Sequence, residues 1–317
     1  LATLLSRQYD FVYCHGPIAS VGNLAALLSG TPCGMRIYGT ARTAIELENL
    51  GAREVGRRPR FLQLAFRLKK RFLIMTNDGS RGNVVQRALA SPTPRYDFYH
   101  LVNGVDDIPA AELENRAHLE SGDIPQTPFL FYPARIDRWK RNHLALDVLE
   151  KLGGRGYHDI LLLFAGQISD PRYWDEIQQE IARRHLEHRV RYLGTLSRGE
   201  LYQYYRSALA VLCLYETALL SNVMLEALTA GSVVLSWEDG SLDGIVEHGV
   251  NGLLVKSTEE AADEIVALLA HPDRGLAIRD QARQHAEKQF VSWDQRLLQE
   301  LALIYQAAGQ PFSPQVS

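Results

Sequence analysis

The chain has 317 residues, of which 46% are apolar and 22% charged, and its 34 basic and 37 acidic residues give a net charge of -3. At roughly 150 residues per domain, this length predicts two domains with buried cores. The nearly balanced charge argues against a dedicated nucleic-acid-binding protein, which is usually strongly basic. No apolar stretch reaches the ~20 residues that span a bilayer.

The three cysteines are few and far apart. Cys14, Cys33 and Cys213 are an odd number, which favours reduced structural thiols over a disulfide framework or a zinc site. We therefore expect a cytoplasmic protein without a secretory leader. A strand is predicted as early as residue 11 and no Met opens the sequence, so we also expect the front of the first domain to be missing.

Short apolar runs alternate with amphipathic segments of helix length along the whole chain. This alternation predicts an α/β fold whose parallel sheets are covered by helices on both faces. Helices are predicted at residues 139–152, 172–184 and 257–270. The predicted strands are at residues 11–14, 35–38, 72–75, 98–102, 129–132, 160–165, 190–193, 210–214, 233–235 and 252–255.

A polar stretch rich in acids and proline follows the turn dipeptide Asn103-Gly104. We place the hinge between the domains near residues 104–127. The first domain is predicted to cover residues 1–107 and the second residues 108–290. A last helix in residues 291–317 is expected to pack back towards the first domain.

In parallel α/β sheets, ligands bind at the carboxyl ends of the strands, where helix N-termini present free amides. After the strand at 129–132, Arg135 lies in a loop and Lys140 is predicted to open the next helix. Cations there oppose the helix dipole, and two of them beside backbone amides suit a diphosphate. A solvated basic loop explains the same residues equally well.

The strand at 210–214 leads into a second junction. Ser221 or Asn222 is a good N-cap, and the helix is expected to stop at Gly231. Glu226 lies one turn into this mostly apolar helix. A carboxylate there is costly unless it accepts hydrogen bonds, either from ligand hydroxyls or from a nearby backbone or Arg.

The third junction runs from Gly194 to Leu196 and precedes Ser197 and Glu200, which form a capping-box pattern. The loop is suited to a nucleobase, although the cap by itself accounts for the pattern. A Gly-x-Gly-x-x-Gly motif and a P-loop are both missing from the sequence, which argues against a classical dinucleotide fold. The pair His185 and His188 fits a surface better than a metal site.

In order and spacing, these junctions resemble the retaining glycosyltransferases of the GT-B fold, family 4. The similarity is weaker in the first domain, at residues 13–16, 36–40 and 102–106. In the second domain the similar segments are residues 133–140, 162–166, 192–196, 221–231 and 244–254.

The resemblance implies two Rossmann-like domains that face a cleft and a hexosyltransferase that works without a metal or another cofactor. The donor would be a nucleotide-diphosphate sugar linked to UDP or GDP, and the acceptor a hydroxyl of a glycan or a lipid-linked molecule. The resemblance implies that Arg135 and Lys140 bind the donor diphosphate and that Glu226 binds the ribose hydroxyls. It also implies that the amides of Ser221, Asn222 and Val223 bind the phosphates and that Gly194 and Leu196 lie beside the base.

The sequence departs from the family in two ways: the front of the acceptor domain, which in the family carries a glycine-rich loop near the donor phosphates, is expected to be missing, and one acidic position is changed. The family has a Glu eight residues before the second Glu, and Ala218 stands there, with Glu216 two residues earlier. This leaves the donor sugar open, with Glu216 as the candidate substitute. On the acceptor side we expect His15, Gly16 and Tyr38, which follow two strands of the first domain.

Residues 53–71 contain many cations, a single acid (Glu54) and interleaved apolar residues. Such a segment predicts a basic amphipathic helix on the inner, anionic face of a membrane, or simply a solvated helix face. Two further functions stay open. One is a sugar-nucleotide epimerase of the same fold, and the other is a truncated remnant that binds nucleotide or membrane without turnover.

Overall fold

The computed structural model describes residues 9–55, 61–108 and 124–313. The chain forms two compact units. The first contains Leu1–Gly104 together with Val291–Ser317, and the second contains Val105–Phe290. The predicted boundary after residue 107 lies three residues beyond the boundary between the units.

The first unit is built on a four-stranded parallel sheet in the order β1-β2-β3-β4. Its described strands are β1 Val12–His15, β2 Cys33–Ile37, β3 Phe72–Thr76 and β4 Asp97–Leu101. The helices that follow them are α1 Ser20–Ser29, α2 Ala41–Val55, α3 Phe61–Arg67 and α4 Gly82–Leu89.

The second unit is built on a six-stranded parallel sheet in the order β10-β9-β8-β5-β6-β7. Its strands are β5 Phe129–Pro133, β6 Leu161–Ala165, β7 Val190–Tyr192, β8 Ala210–Cys213, β9 Val234–Trp237 and β10 Leu253–Val255. Its helices are α5 His143–Gly154, α6 Pro171–Arg183, α7 Arg198–Ser207, α8 Asn222–Thr229, α9 Thr258–Ala270 and α10 Pro272–Gln289.

The α/β class predicted from the sequence is confirmed, and each of the ten predicted strands overlaps an observed strand. Every residue of β2, β3, β5 and β6 is buried. Helices cover both faces of such strands, which is why the sequence shows them as continuous apolar runs.

The last helix, α11 (Trp293–Ala308), belongs to the first unit. Its Glu300 accepts hydrogen bonds from Arg36 of β2 at 2.8 Å and from the hydroxyl of Tyr13, and it lies 3.0 Å from Arg296. Arg296 also donates to the carbonyl of Val102 at 3.1 Å. One buried carboxylate thus joins α11 to β1 and β2.

Candidate functional site

The strand order of the second unit reverses between two neighbouring strands. From β5 the chain continues outward through β6 and β7, whereas β8 lies on the other side of β5 and leads outward through β9 and β10. Ligands of open α/β sheets bind beyond the carboxyl ends of the strands at such a reversal. The loops after β5 and β8, which contain most of the predicted site residues, meet at this point.

The loop after β5 is held against the loop after β6. A Cβ at Gly166 would lie 2.4 Å from the carbonyl oxygen of Ala134, and Gly166 has a φ of 134°. Ile136 and Ile168 extend the pairing beyond the strands. Only glycine allows this approach, so Gly166 sets where the β5 loop leaves the sheet.

Lys140 does not open a helix, contrary to the sequence prediction. It ends a 3₁₀ turn at Arg138–Lys140, and α5 begins at His143. The side chain of Asp137 accepts a hydrogen bond from the amide of Lys140 at 2.9 Å. The hydroxyl of Tyr132 donates to the carbonyl of Lys140 at 2.5 Å. The predicted helix over 139–152 is therefore a turn followed by a helix.

The ammonium group of Lys140 lies 3.6 Å from the centre of the Tyr215 ring. Its burial lowers the pKa of Lys140. Among the described residues no carboxylate forms an ion pair with it. Lys140 is therefore a partly desolvated cation, held on an aromatic face, that is open to an anionic ligand.

Arg135 is less firmly held. Its side chain is exposed, and one guanidinium nitrogen lies 3.4 Å from a carboxylate oxygen of Asp137. An exposed pair at this distance contributes little and exchanges easily. Of the two predicted diphosphate cations, only Lys140 has a fixed position.

Two hydrogen bonds and one ion pair bring the loop after β8 to the turn after β5 and to the end of β9. The amide of Glu216 donates to the carbonyl of Trp139 at 3.0 Å, and the carboxylate of Glu216 lies 3.5 Å from Arg141. The indole of Trp237 donates to the carbonyl of Tyr215 at 2.9 Å. Glu216 therefore faces a cation of its own chain.

The helix α8 starts as the sequence predicts. Ser221 is the N-cap, and its hydroxyl accepts from the amide of Met224 at 3.3 Å. Asn222 and Val223 lie in the first turn of α8, at the end where the backbone amides of a helix point outward. Such a terminus is a natural site for a phosphate.

Glu226 lies one turn further along α8 and is half-buried. Its carboxylate accepts a hydrogen bond from the hydroxyl of Tyr205 on α7 at 3.0 Å. Burial raises the pKa of Glu226, and the bond from Tyr205 lowers it by a smaller amount. The carboxylate keeps free lone pairs for ligand hydroxyls.

The loop after β7 is attached to the loop after β6. The carbonyl of Gly194 accepts from the amide of Gly166 at 2.8 Å, and the hydroxyl of Tyr192 donates to the carbonyl of Gly166 at 2.8 Å. Leu196 is half-buried, and Ser197 and Glu200 form the predicted capping box. Gly194 and Leu196 thus follow the edge strand β7, two strands away from β5.

In the first unit, His15 and Tyr38 are brought together. The Nδ1 atom of His15 lies 2.7 Å from the hydroxyl of Tyr38, and the guanidinium of Arg36 lies 4.9 Å from the centre of the Tyr38 ring. The amide of Gly16, at a φ of 76°, donates to the carbonyl of Arg36 at 2.8 Å. Tyr38 is 49% exposed, so this exposed pair is open to a ligand.

The predicted basic helix over residues 53–71 is confirmed only in part where the structure describes it, because the helix does not continue to residue 71. Helix α2 ends at Val55, and α3 covers only Phe61–Arg67. Residues 56–60, which include Arg57, Arg58 and Arg60, lie outside the described residues. Lys70 is buried, with its ammonium 4.3 Å from the centre of the Tyr96 ring, whereas Lys69 and Arg71 are exposed.

Four residues of the second-unit site were missed by the sequence analysis: Trp139, Arg141, Tyr205 and Asp239. Arg141 directly follows Lys140 and carries the same charge, so its position in the basic loop was the available signal. No local sequence pattern indicates Tyr205 or Asp239. Tyr205 bonds to Glu226, 21 residues further along the chain, and Asp239 bonds to Ala218, 21 residues earlier.

None of the helices in the described part of the chain is both long and apolar enough to cross a bilayer. The same residues contain no group of three or more His, Cys, Asp or Glu side chains arranged to hold a metal ion. All three cysteines are free and buried.

The sequence profile of the family Glycosyl transferases group 1 matches residues 115–288, which is more than half of the chain. The chain belongs to this family. The match covers the loops after β5 to β9, so the predicted donor-side residues all lie inside the family segment.

A curated relative is the trehalose synthase of Pyrococcus horikoshii, which is 22% identical over 179 residues. The alignment covers 55% of this chain and 43% of the relative, so the chain spans less than half of the relative's length.

Solved structures of similar fold cover most of the chain. Anabaena HepE, crystallised with UDP and glucose, is 20% identical with a TM-score of 0.72, over 93% of this chain and 78% of HepE. Sucrose-phosphate synthase from Thermosynechococcus elongatus is 18% identical with a TM-score of 0.74, over 96% of this chain and 75% of that one. The α/β fold with two parallel sheets is that of GT-B glycosyltransferases.

Proposed function

We propose that the protein is a retaining glycosyltransferase of family 4, which transfers a hexosyl group from a nucleotide-diphosphate sugar to a hydroxyl group. The observation that carries this proposal is the position of Lys140. This partly desolvated cation forms no ion pair with a carboxylate of the described residues, and it lies at the strand reversal, on the loop that contacts the segment leading into the N-terminus of α8. The negative charge of a pyrophosphate would pair with the ammonium of Lys140.

In this mechanism the acceptor oxygen bonds to the anomeric carbon and loses its hydroxyl proton, while the bond from that carbon to the leaving phosphate oxygen breaks. Negative charge develops on the departing nucleoside diphosphate. The ammonium of Lys140 and the first-turn amides of α8 stabilise that charge without moving. Arg135 adds a second cation once it leaves Asp137, and Glu226 accepts the ribose hydroxyls. Retention of the anomeric configuration rests on the family resemblance.

We propose UDP as the nucleotide, with Gly194 and Leu196 beside the base and GDP as the alternative. HepE was crystallised with UDP and glucose, and this supports UDP as the first ligand to test. The acceptor would be a glycan or a lipid-linked hydroxyl. The His15 and Tyr38 pair of the first unit, with Gly16 at the end of β1, is proposed to bind it.

The proposal is tested by titrating UDP and GDP into the purified chain by calorimetry and then incubating it with UDP-glucose or UDP-GlcNAc. Binding of UDP or GDP followed by release of free sugar or by transfer to an added glycan is the expected result. An epimerised nucleotide sugar would indicate an epimerase instead. Binding without any turnover would favour the non-catalytic function, and failure of both nucleotides to bind would reject a nucleotide site.

We also propose a cytoplasmic location with a peripheral contact to an anionic membrane. Phe61 and Leu64 of α3 are exposed, and Arg67, Lys69 and Arg71 follow them. Exposed apolar residues beside cations suit an interface of acidic lipids.

The membrane contact is tested by flotation with vesicles that contain phosphatidylglycerol. The double variant Phe61→Ser, Leu64→Ser should lose vesicle binding. The variant Leu276→Ser, which changes an exposed apolar residue of the second unit, should keep it. Equal binding by both variants would remove this surface from the proposal.

A further inference from the structure

The segment from Tyr215 to Ser221, called here the β8 loop, connects β8 to the N-cap of α8. Its first part is fixed by Trp237 and Trp139, which bond to Tyr215 and Glu216. Its middle part is fixed by Asp239, from the loop after β9. One carboxylate oxygen of Asp239 accepts from the amide of Ala218 at 2.9 Å, and the other accepts from the amide of Ser241 at 2.9 Å.

Ala218 is fully buried, with 0% of its surface exposed. Its methyl group therefore points into the protein, and its amide, which would otherwise be an unpaired donor, is taken by Asp239. Glu216, the other acid of the loop, faces Arg141 at 3.5 Å. The conformation of the β8 loop around Ala218 thus depends on a carboxylate from another strand end.

The contact between Asp239 and Ala218 lies beside the space that a sugar attached to a phosphate at α8 would occupy. The β8 loop leads directly into Ser221, whose helix presents its amides to an anion. A group attached to a phosphate at that terminus lies next to the residues just before the helix. The backbone between Glu216 and Leu220 is therefore the wall that such a group meets.

We propose that Asp239 is a positioning residue for donor-sugar selection, which fixes the wall of the sugar site through the amide of Ala218. This rests on the proposed function. Both oxygens of Asp239 accept backbone amides, so the residue acts through the loop. Hydrogen bonds to a charged acceptor are roughly twice as strong as neutral ones. The carboxylate of Asp239 therefore holds the loop around Ala218 in one conformation.

The test compares Asp239→Ala and Asp239→Asn with Glu238→Ala as the matched control. Glu238 is the neighbouring acid, and its exposed carboxylate pairs with Lys256 at 3.4 Å. Dissociation constants for UDP, UDP-glucose, UDP-galactose and UDP-GlcNAc are measured by calorimetry. Reversible partial unfolding of a variant would weaken its apparent affinity for all four ligands by the same factor, so the ratios between the ligands are still comparable.

We expect Asp239→Ala to bind UDP within about twofold of the wild type, since Lys140 and α8 are untouched. Its preference for the best sugar nucleotide over the others should fall roughly 10- to 100-fold, as for the loss of one charge-assisted hydrogen bond. Asp239→Asn, which keeps one accepting oxygen, should lie between the wild type and Asp239→Ala. Glu238→Ala should match the wild type.

Three outcomes overturn the proposal. One is an unchanged sugar preference in Asp239→Ala, and another is a wild type that binds UDP but does not distinguish between sugars. The third is an equal loss of UDP and sugar-nucleotide affinity, which would make Asp239 a support of the whole site. If the wild type binds neither UDP nor any sugar nucleotide, the proposed function itself fails, and this result is distinct from the other three.

Discussion

The ammonium of Lys140 lies over the ring of Tyr215, 3.6 Å from its centre, so a cation that follows β5 rests on an aromatic side chain that follows β8. The two residues are 75 positions apart in the chain, and they meet because their strands, β5 and β8, are paired. This contact fixes the charge at the point where the strand order reverses.

Replacing Lys140 by alanine should weaken UDP binding roughly 10- to 150-fold, as expected for the loss of one charge-assisted contact of about 1.5–3 kcal/mol. Calorimetry measures the dissociation constant for UDP. The control is Lys151→Ala, which removes a half-buried lysine paired with Glu259 and should leave the affinity unchanged. Equal affinities of the two variants would contradict a diphosphate contact at Lys140.

The affinity of the wild type for UDP should also depend on pH. Burial lowers the pKa of Lys140, so its charge is lost at a lower pH than that of an exposed lysine. UDP binding should weaken as the pH rises through that pKa, with proton uptake on binding. Titrations in buffers of different ionisation enthalpy detect this uptake, and it should vanish in Lys140→Ala.

The variant Glu226→Gln should raise thermal stability slightly at neutral pH. Burial raises the pKa of Glu226 above its value in the unfolded chain. The native state therefore binds the proton more tightly, and stability is lost as the pH rises through the folded pKa. Glutamine removes the charge and still accepts from Tyr205. Melting curves should show a higher melting temperature for Glu226→Gln than for the wild type at pH 8 and no difference at pH 4.

The same variant should lose most of the preference for UDP over 2′-deoxy-UDP, because the carboxylate is proposed to accept a ribose hydroxyl. Glu187→Gln, which changes an exposed acid of the same unit, serves as the control. A preserved preference in Glu226→Gln would place the ribose elsewhere.

Gly166→Ala should destabilise the second unit by about 1–3 kcal/mol or more, because φ is positive and the new Cβ would meet the carbonyl of Ala134. Denaturant unfolding measures the change. Gly154→Ala is the matched control. Gly154 lies in the last turn of α5 with open space around it, and alanine there should be neutral or stabilising by up to about 1 kcal/mol.

Glu300→Gln should destabilise the first unit by about 3–5 kcal/mol, because it leaves the buried cations Arg36 and Arg296 without their shared carboxylate. The exposed pair of Glu287 with Arg283 has the same chemistry at the surface. The variant Glu287→Gln should therefore change the unfolding free energy by less than about 1 kcal/mol. Similar values for both variants would show that the buried carboxylate does not hold α11.

The strands and helix caps were predictable because their signals are local. Buried parallel strands are continuous apolar runs, and Ser197 and Ser221 precede their helices at the spacing that capping needs. The turn at Arg138–Lys140 was not separated from α5, since the apolar pattern of a helix runs through it and the cap of Asp137 gives no periodic signal.

The contacts that shape the site are not local and could not be predicted from one sequence. Glu216 was the candidate substitute for the missing family acid, yet the structure pairs it with Arg141 and gives the amide of Ala218 to Asp239. Both contacts depend on which strand ends are neighbours. The order of strands in the sheet decides this, and the spacing of residues along the chain does not.

The first unit is made from both ends of the chain, and this governs how the protein can be divided. A single cut after Gly104 would separate Arg36 from Glu300, so the leading fragment on its own would lack the helix that its buried arginine requires. Gly104 packs directly against the backbone of Trp293. Excising residues 105–290 and splicing the ends with a short linker is therefore the route to an isolated first unit, and the excised piece carries the residues proposed for the donor side in one uninterrupted segment.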